Sequence, residues 1–439
     1  MTQNNAALGP WSKHVVPPEP LTGPLAAAAG QVPTALAGIG STPPPGIPWW
    51  EHESLPTGHP PLKMDGVPLT ELARQHGTPL YVYSRATIQR QLHRLLTALA
   101  DVTGQFALFY AMKANRFPGV LQAVRDMPGA GVDTCSPREV EAALAVGFPP
   151  ELISFNAGML SSRDLAHVAA RGIYCTLDSF SALRRYGPLV PSGTRIGLRF
   201  NPGTTIGYGD NRKTIYGNAK FGFEPEECQA TLHAARTAGL QVDSVHMHIG
   251  WGLQEDAASQ LEQAFIRLAS IARQIPSLRS VNVGGGLGGR FRASDQPLSL
   301  STWQRLIARH LAPLGVTIAC EPGTFVAAPA GVLLVEVNTV EERRSIRWIG
   351  VDAGYAINPC PALYGIPVEI VPLLDPLAEP TCRCTVAGHI NEAYDIWAHD
   401  YPLAALAEGD LLAILPAGAY GASMASDHCL RGQVTEVMV

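Results

Sequence analysis

Eight short apolar runs recur along the middle of the chain, and each is followed by a stretch with the composition of a helix. Ser, Asp or Glu stands near the start of the clearest helical stretches, and Gly stands near several of their ends. Eight such alternations over about 220 residues predict a parallel (β/α)8 barrel, whose typical size is about 250 residues. A doubly wound open sheet gives a similar alternation and stays open as the alternative. The runs are FALFYAMK (106–113), GAGVDTCS (129–136), LISFNAG (152–158), IYCTLDS (173–179), TRIGLRFNPG (194–203), VDSVHMHIG (242–250), SVNVGGG (280–286) and VTIACEPG (316–323).

The barrel pattern occupies only part of the chain. Residues 1–61 contain 13 of the 37 prolines and are predicted to be an extension rather than a core. Residues 62–84 end in the strand-like TPLYVYS and are expected to join a second domain. Residues 85–325 are the predicted barrel, and 326–439, rich in strand-like runs without long helices, are a predicted C-terminal antiparallel β domain. The predicted fold class is therefore α/β, a TIM-type barrel with a second, β domain.

Composition excludes several classes of function. The 439-residue chain is 46% hydrophobic and 16% charged, with a net charge of −5, and it has no basic block typical of nucleic-acid or membrane binding. No apolar run approaches the roughly 20 residues of a membrane span, and the N-terminus has no secretory signal pattern. The eight scattered cysteines have no zinc-binding spacing and are expected to be reduced. We therefore expect a cytoplasmic protein that acts on small molecules.

Residues suited to chemistry fall at the ends of the predicted barrel strands. Lys113 ends the first strand, Asp133 the second, His248 the sixth, the triplet Gly284–Gly286 the seventh and Glu321 the eighth. Active sites of such barrels lie at the C-terminal ends of the strands. Each residue also has an ordinary structural explanation, for example a helix cap at Asp133 or a tight turn at the glycines. Their joint placement favours a common site.

Pyridoxal 5′-phosphate accounts for the whole set. The cofactor needs a lysine, backbone N–H groups for its phosphate, a partner for its pyridine nitrogen and a flat group against its ring. Lys113 can bind it covalently, glycines at 284–286 allow a close approach to an anion, Glu321 can keep the pyridine protonated, and His248 can stack on the ring. The sequence therefore predicts a pyridoxal phosphate enzyme.

Seven ordered motifs give this prediction a family. The chain resembles the fold-type III diaminopimelate/ornithine decarboxylases over residues 78 to 439. The resemblance implies an alanine-racemase-like barrel, a C-terminal β domain and a head-to-tail homodimer with active sites at the subunit interface. The motifs are YAMKAN, GVDTCSPREVEAAL, HMHIG, VGGGLG, CEPG, VDAG…PALY and AGAYGASM.

The resemblance also implies roles for individual residues. Lys113 would be the Schiff-base lysine, His248 the ring-stacking residue and Glu321 the partner of the pyridine nitrogen. Gly284, Gly285 and Gly286 with Tyr420 would bind the phosphate, and Asp133 would lie near the bound cofactor. The catalytic set would be Lys113, His248 and Glu392. The substrate set, several of whose members would come from the partner chain, would be Asp352, Cys360, Tyr364, Asn391, Glu392 and Asp395.

Four positions depart from the family pattern. Thr324 stands where the family's EPGR motif has an arginine, and Cys360 stands where the diaminopimelate enzymes bind a distal carboxylate with an arginine. Trp251 replaces a small serine near the phosphate. Asn391 replaces a cysteine that donates a proton, and an amide cannot act as that acid.

These departures lead to an expectation about the substrate. We expect a pyridoxal phosphate-dependent decarboxylase for a basic amino acid or a larger amino-acid conjugate, with meso-diaminopimelate a poor substrate. If diaminopimelate proves to be the best one, Arg199 or Arg212 would have to replace the missing arginines. An amino-acid racemase and a non-catalytic relative remain the alternatives, although a racemase of this class sets an arginine, not a carboxylate, against the pyridine nitrogen.

Overall fold

Eight parallel strands close into a barrel in the computed structural model, which describes residues 61–103, 105–204, 206–209 and 219–439. All of these residues belong to one compact unit. The barrel strands are β4 (Phe106–Ala111), β5 (Ala130–Thr134), β6 (Ile153–Asn156), β7 (Tyr174–Leu177), β8 (Thr194–Arg199), β9 (Leu240–His246), β10 (Ser280–Asn282) and β11 (Thr317–Cys320). Strand β11 pairs in parallel with β4, with Ile318 opposite Phe106. This pairing closes the sheet and confirms the barrel over the open doubly wound alternative.

Helices cover the outside of the barrel, so its strands are apolar on both faces. Serine starts five of these helices, and in each case its hydroxyl accepts the backbone N–H three residues later. The helices of the structure are α1 (Leu69–His76), α2 (Arg85–Ala100), α3 (Pro118–Arg125), α4 (Pro137–Val146), α5 (Ser162–Ala170), α6 (Phe180–Tyr186), α7 (Cys228–Thr237), α8 (Ala258–Ala272), α9 (Leu300–His310), α10 (Thr324–Ala327), α11 (Cys360–Tyr364) and α12 (Gly421–Met424).

A second sheet is built mainly from the C-terminal part of the chain. Besides the short N-terminal pair β1 (Lys63–Met64) and β2 (Val67–Pro68), the remaining strands are β3 (Leu80–Tyr83), β12 (Gly331–Arg343), β13 (Ile346–Val351), β14 (Glu369–Pro372), β15 (Cys382–Ala387), β16 (Ile396–Leu403), β17 (Leu411–Leu415) and β18 (Thr435–Met438). The sheet is mostly antiparallel, as expected, but β13 with β15 and β3 with β18 are parallel pairs. The strand-like runs that the sequence predicts in this domain do not include β14 and β16; those runs are GVLLVEVNTVEE, SIRWIGVDAG, RCTVAGHI, GDLLAILPAGAYG and GQVTEVMV.

The N-terminal strand β3 lies inside this second sheet. It pairs with β12 on one side and with the C-terminal β18 on the other. The Tyr83 hydroxyl donates to the Glu436 carboxylate across the β3–β18 pair (2.7 Å). The two ends of the described chain are therefore held together beside the barrel.

Two further sequence expectations concern the whole chain. All eight cysteines lie within the described residues and none is in a disulfide. Among the described residues, no helix combines the length and the apolar character that crossing a membrane requires.

Packing between barrel strands generates a stability prediction at Gly131 in β5. A Cβ atom at this position would collide with the carbonyl oxygen of Leu152 and would lie 2.8 Å from the ring of Phe109. Because backbone cannot move as a flexible side chain can, we expect Gly131→Ala to destabilise the protein by about 1–3 kcal/mol. Urea unfolding followed by circular dichroism measures the loss.

The matched control is Gly289→Ala. A Cβ at Gly289 would meet no heavy atom within 4 Å, so this variant should unfold within about 0.5 kcal/mol of wild type. Equal urea midpoints for the two variants would contradict the close approach of β5 to its neighbours.

Candidate active site

Lys113 lies at the C-terminal end of the barrel, in a short 3₁₀ turn that follows β4. Its neighbours in the turn, Met112 and Ala114, are buried, whereas the Lys113 side chain is exposed at the barrel mouth. Cys135 and Tyr420 in their ionised forms, and the carboxylates of Asp133 and Glu321, raise the pKa of Lys113, while burial acts in the opposite direction. An amine surrounded by acidic groups at the end of a barrel strand is a candidate catalytic group.

A loop of the β domain, residues 416–424, lies directly against this turn. The Tyr420 backbone N–H donates to the Ala114 carbonyl (2.7 Å), and the Ser423 hydroxyl donates to the Lys113 carbonyl (2.9 Å). The Asn115 side-chain amide donates to the Gly418 carbonyl (2.9 Å). Tyr420 therefore reaches the Lys113 turn within one chain and does not need a partner subunit to do so.

Glu321, the first residue after β11, is buried among three donors. The Asn282 amide donates to Oε1 (2.7 Å), while the Asn156 amide (3.3 Å) and His246 Nε2–H (3.0 Å) donate to Oε2. Burial by itself would raise the pKa of Glu321, but His246, with the charges of Lys113 and Arg199, outweighs burial and lowers the pKa to about 2. Glu321 is therefore an ionised carboxylate at neutral pH.

The proton of His246 is assigned by its surroundings. Burial lowers the pKa of His246, while the Glu321 carboxylate acts in the opposite direction. Its Nε2 lies 3.0 Å from the Glu321 carboxylate, which can only accept, and 3.0 Å from the Asn156 amide nitrogen, while its Nδ1 has no partner among the described residues. A proton on Nε2 forms a hydrogen bond, whereas a proton on Nδ1 would be a buried donor without an acceptor.

The residues that hold Glu321 were missed by the sequence reasoning. Asn156, His246, Asn282 and Arg199 are the last residues of β6, β9, β10 and β8. Arg199 is buried, with Nη1 3.5 Å from the side-chain oxygen Oδ1 of Asn156 and its guanidinium 4.4 Å from the centre of the Phe221 ring. Each of these four residues is a polar last residue of an otherwise apolar barrel strand. This pattern is visible in the sequence and would have identified them.

His248 and the glycine triplet form a second part of the site. The Gly285 N–H donates to His248 Nδ1 (3.1 Å), and burial lowers the pKa of this histidine well below its ordinary value. The ring is therefore neutral, with its proton on Nε2. A Cβ on Gly284 (φ +66°) would lie 3.0 Å from His248 Nδ1, so glycine is required for this close packing.

Two of the three triplet amides are already used within the protein. The Gly284 N–H donates to the side-chain oxygen Oδ1 of Asn282 (2.9 Å), and the Gly285 N–H donates to His248. Within the described residues, the Gly286 N–H has no acceptor. Gly286 is therefore the member of the triplet best placed to bind an external anion. The N–H groups of Gly284 and Gly285 already have protein acceptors, and these two residues shape the loop.

Asp133 lies inside the barrel at the end of β5, beside the strand that leads to Lys113. It is 1% exposed, and its partner in the neighbouring strand β4 is Ala111. Burial, and then the Glu321 charge, raise the pKa of Asp133, and its Oδ1 has no partner in the described part of the chain. Asp133 does not cap the following helix, because the Ser136 hydroxyl accepts the Glu139 N–H instead.

Asp352 and Asp395 are engaged elsewhere in the β domain. The Asp395 oxygens accept the N–H groups of Tyr355 (2.7 Å) and Ile390 (2.7 Å), and the residue is 3% exposed. Asp352 Oδ1 accepts the Glu336 N–H (2.9 Å). Within one chain these carboxylates hold loops of the β domain, and their role towards the substrate stays a prediction.

Cys360 and Tyr364 begin and end the short helix α11. Cys360 is buried, which raises the pKa of its thiol to about 12, and its backbone N–H donates to the side-chain oxygen Oδ1 of Asn358 (3.2 Å). Tyr364 packs against Trp251, with ring centres 6.2 Å apart, and Trp251 also contacts Tyr208 (6.0 Å). The tryptophan that replaces the family serine thus joins an aromatic cluster between the barrel mouth and the β domain.

Asn391 and Glu392 lie on an exposed loop of the β domain. Glu392 Oε1 is 3.4 Å from Nε2 of His428, whose ring stacks on Tyr355 (6.0 Å). In the part of the chain that the structure describes, no contact joins Glu392 to the Lys113 turn. Thr324 starts the short helix α10 directly after Gly323.

The residues at the barrel mouth fit pyridoxal 5′-phosphate. Lys113 is an accessible amine, Glu321 is an ionised acceptor, His248 offers a neutral ring, and Asp133 Oδ1 is a buried oxygen that needs a partner. The loop at Gly286 offers a backbone N–H to an anion. These groups match the chemical needs of the cofactor's aldehyde, pyridine ring and phosphate.

Comparison with known proteins agrees with this chemistry. The family model described as pyridoxal-dependent decarboxylase, pyridoxal binding domain, matches residues 85–328. A diaminopimelate decarboxylase of Methanothermobacter thermautotrophicus is 33% identical over 396 residues, which cover 87% of this chain and 91% of that protein. The diaminopimelate decarboxylase of Pseudomonas aeruginosa is 33% identical over 385 residues, or 86% of this chain and 91% of that protein.

A solved structure shows the same architecture. Diaminopimelate decarboxylase from Helicobacter pylori, complexed with L-lysine, has a TM-score of 0.78 and 28% identity, and the match covers 84% of this chain and 94% of that one. The relatives' names give no support to the expectation that meso-diaminopimelate is a poor substrate. The chain belongs to the pyridoxal-dependent decarboxylases and is a carboxy-lyase whose cofactor is pyridoxal 5′-phosphate.

Proposed function

We propose that this enzyme removes the α-carboxylate of an amino acid that carries an ammonium group at its far end, with meso-diaminopimelate as the first candidate. The observation that carries the decarboxylation chemistry is the buried, ionised Glu321, held by Asn156, His246 and Asn282. When bound, pyridoxal phosphate with a protonated pyridine nitrogen draws away the electron pair that the leaving carboxylate gives up. An ionised carboxylate is the partner that favours that proton.

Different residues at the barrel mouth would bind different parts of the cofactor. Lys113 would hold the cofactor covalently, and Glu321 would bind the pyridine nitrogen. His248 would lie against the ring, fixed in its orientation by the Gly285 N–H. Gly286 and Tyr420 would bind the phosphate.

The racemase and the non-catalytic relative are less well supported. A racemase of this class sets an arginine against the pyridine nitrogen, whereas here the three donors keep a carboxylate ionised at that position. A protein without catalytic function has no need of a buried charge, which is costly to maintain. Lys113, His248 and Glu321 are all present with their supporting contacts.

The far end of the substrate is less constrained than the α-carbon. Neither Thr324 nor the buried, neutral Cys360 can bind a carboxylate as an arginine does. Arg199 belongs to the Glu321 network, and Arg212 lies outside the described residues. The names of the 33%-identical relatives favour diaminopimelate, and its far-end ammonium needs no arginine.

Release of carbon dioxide by the purified holoenzyme tests the function. We expect turnover of meso-diaminopimelate, no release by Lys113→Ala, and, after borohydride reduction of wild type, a pyridoxyl group on Lys113. L-Lysine, L-ornithine and L-arginine are the comparison substrates. If one of these is turned over and diaminopimelate is not, the missing arginines decide specificity and the substrate has no distal carboxylate. Racemisation without carbon dioxide would overturn the proposed chemistry.

We also propose that the enzyme works as a homodimer in which Glu392 serves the active site of the partner subunit. Glu392 is exposed, and its described contacts, His428 and Tyr355, lie on the β domain rather than at the Lys113 turn. Tyr420, in contrast, is tied to that turn within its own chain.

Subunit complementation distinguishes an active site shared between two subunits from one built within a single chain. Mixed Lys113→Ala and Glu392→Ala chains, purified as mixed dimers with two affinity tags, should regain about half of the wild-type rate, because each mixed dimer has one intact site of two. The matched control is Lys113→Ala mixed with Tyr420→Phe, which should regain nothing beyond its Tyr420→Phe parent. A Glu392 mixture as inactive as its components would place Glu392 in the site of its own chain.

The Glu321 network generates a prediction on pH dependence. A carboxyl group whose pKa falls from 4.5 to about 2 on folding stabilises the folded state above pH 4.5, and this contribution is lost as the pH falls towards 2. In urea unfolding of the cofactor-free protein, Glu321→Gln should therefore be less stable than wild type by about 3 kcal/mol at pH 7. The difference should shrink as the pH is lowered from 5 to 3.

The control for this prediction is Glu341→Gln, which changes a carboxylate on the exposed end of β12. An exposed ion pair such as that of Glu341 with Arg343 contributes little, so this variant should follow wild type at every pH. A difference for Glu321→Gln that stays constant from pH 7 to pH 3 would show that Glu321 is not ionised in the folded protein.

A further inference from the structure

Cys135 is the first residue after β5, beside the turn that carries Lys113. Strands β4 and β5 are parallel neighbours, and Ala111 lies opposite Asp133. Lys113 and Cys135 each lie two residues beyond this pair, so they leave the barrel side by side at its mouth. Cys135 is half-buried, and its own N–H donates to the Glu139 carboxylate (2.7 Å).

The proposed reaction needs an acid at this place. Loss of carbon dioxide breaks the bond between the α-carbon and the carboxylate, and the product forms only when the same carbon receives a proton. Asn391 cannot supply one, because an amide is not an acid at neutral pH. Glu321 is ionised and already accepts three hydrogen bonds.

We infer that the Cys135 thiol is the acid that protonates the α-carbon of the substrate. This inference rests on the proposed function and adds a catalytic residue to it. Among the groups around Lys113, Cys135 is the one that leaves an adjacent barrel strand at the same level, since each residue lies two positions beyond the pair of Ala111 and Asp133. A second group, the buried Asp133 Oδ1, has no partner among the described residues and lies two positions deeper along the same strand.

The protonation state of the thiol agrees with this role. Burial is the largest influence on Cys135 and raises the pKa of its thiol to about 12, although the Lys113 charge acts in the opposite direction. At neutral pH the group is therefore a neutral S–H, which can donate a proton, rather than a thiolate, which would act as a nucleophile.

The step is balanced without any further reactant. The electron pair of the broken carbon–carboxylate bond ends in the new carbon–hydrogen bond, and carbon dioxide leaves. The proton comes from the Cys135 S–H, which becomes a thiolate next to the Lys113 amine, and water returns a proton to the sulfur after each turnover.

The test compares Cys135→Ala with wild type as holoenzymes, using the amino acid of the substrate panel that releases carbon dioxide. Loss of a general acid typically costs 10²–10⁴-fold, so we expect kcat to fall by about 10²-fold or more with little change in KM. In deuterium oxide, the wild-type product should carry deuterium in one configuration at the α-carbon, and the variant should lose that selectivity. Cys382→Ser, in β15 of the second sheet, is the control and should keep both properties.

A measurement without substrate checks the placement. Alkylation of cofactor-free protein by iodoacetamide, read at each cysteine by mass spectrometry, should show a higher thiol pKa at Cys135 in Lys113→Met than in wild type. The exposed Cys429 should react equally in both proteins. An unchanged Cys135 profile would show that the two side chains do not interact, and would overturn the inference.

The outcomes separate this inference from the proposed function. If no amino acid releases carbon dioxide, the proposed function fails, and the role of Cys135 fails with it. If wild type releases carbon dioxide and Cys135→Ala does so at the same rate with the same deuterium configuration, only the inference fails, and Lys113 or Asp133 is the donor.

Discussion

The site depends on a buried negative charge at the end of one barrel strand. A carboxylate in the interior of a protein is stable only where hydrogen bonds and opposite charges replace water. Glu321 meets this condition because the last residues of three other strands, Asn156, His246 and Asn282, all direct donors to it. Closure of the barrel is what brings these strand ends together, so the fold and the ionised state of Glu321 support each other.

The same network reaches the glycine triplet and the ring of His248. Asn282 donates its amide hydrogen to Glu321 and accepts the Gly284 N–H with its carbonyl oxygen. Gly285 then donates to His248. One asparagine thus ties the carboxylate to the glycine loop, and the orientations of Glu321 and His248 are set by a single connected set of hydrogen bonds. Such preorganisation lets fixed charges and dipoles act without rearrangement during the reaction.

The β domain completes the barrel mouth from the side. Its loop at 416–424 places Tyr420 against the Lys113 turn, and Tyr364 packs on Trp251 near the glycine loop. The acidic side chains of this domain have different uses. Asp395 serves as an acceptor for two backbone amides, whereas Glu392 lies exposed beside His428. A carboxylate in a family motif is therefore not by itself a substrate contact.

The sequence alone determined the barrel. The alternation of strands and helices, and the serines at which helices begin, are local properties that can be read from the order of the residues. It also determined the candidate residues Lys113, His248, Glu321 and the glycine triplet, since each follows a strand whose end was visible. Other features were decided only by the tertiary structure. They are strands β14 and β16, the donors to Glu321, the hydrogen bond from Gly285 to His248, and the neighbouring positions of Cys135 and Lys113. These features depend on which strands become neighbours and in what register, and pairing between distant segments leaves no periodic signal in either segment. The same reason separates Asp395 from Glu392: both lie in one short motif, and only the folding of the loop buries one carboxylate and exposes the other.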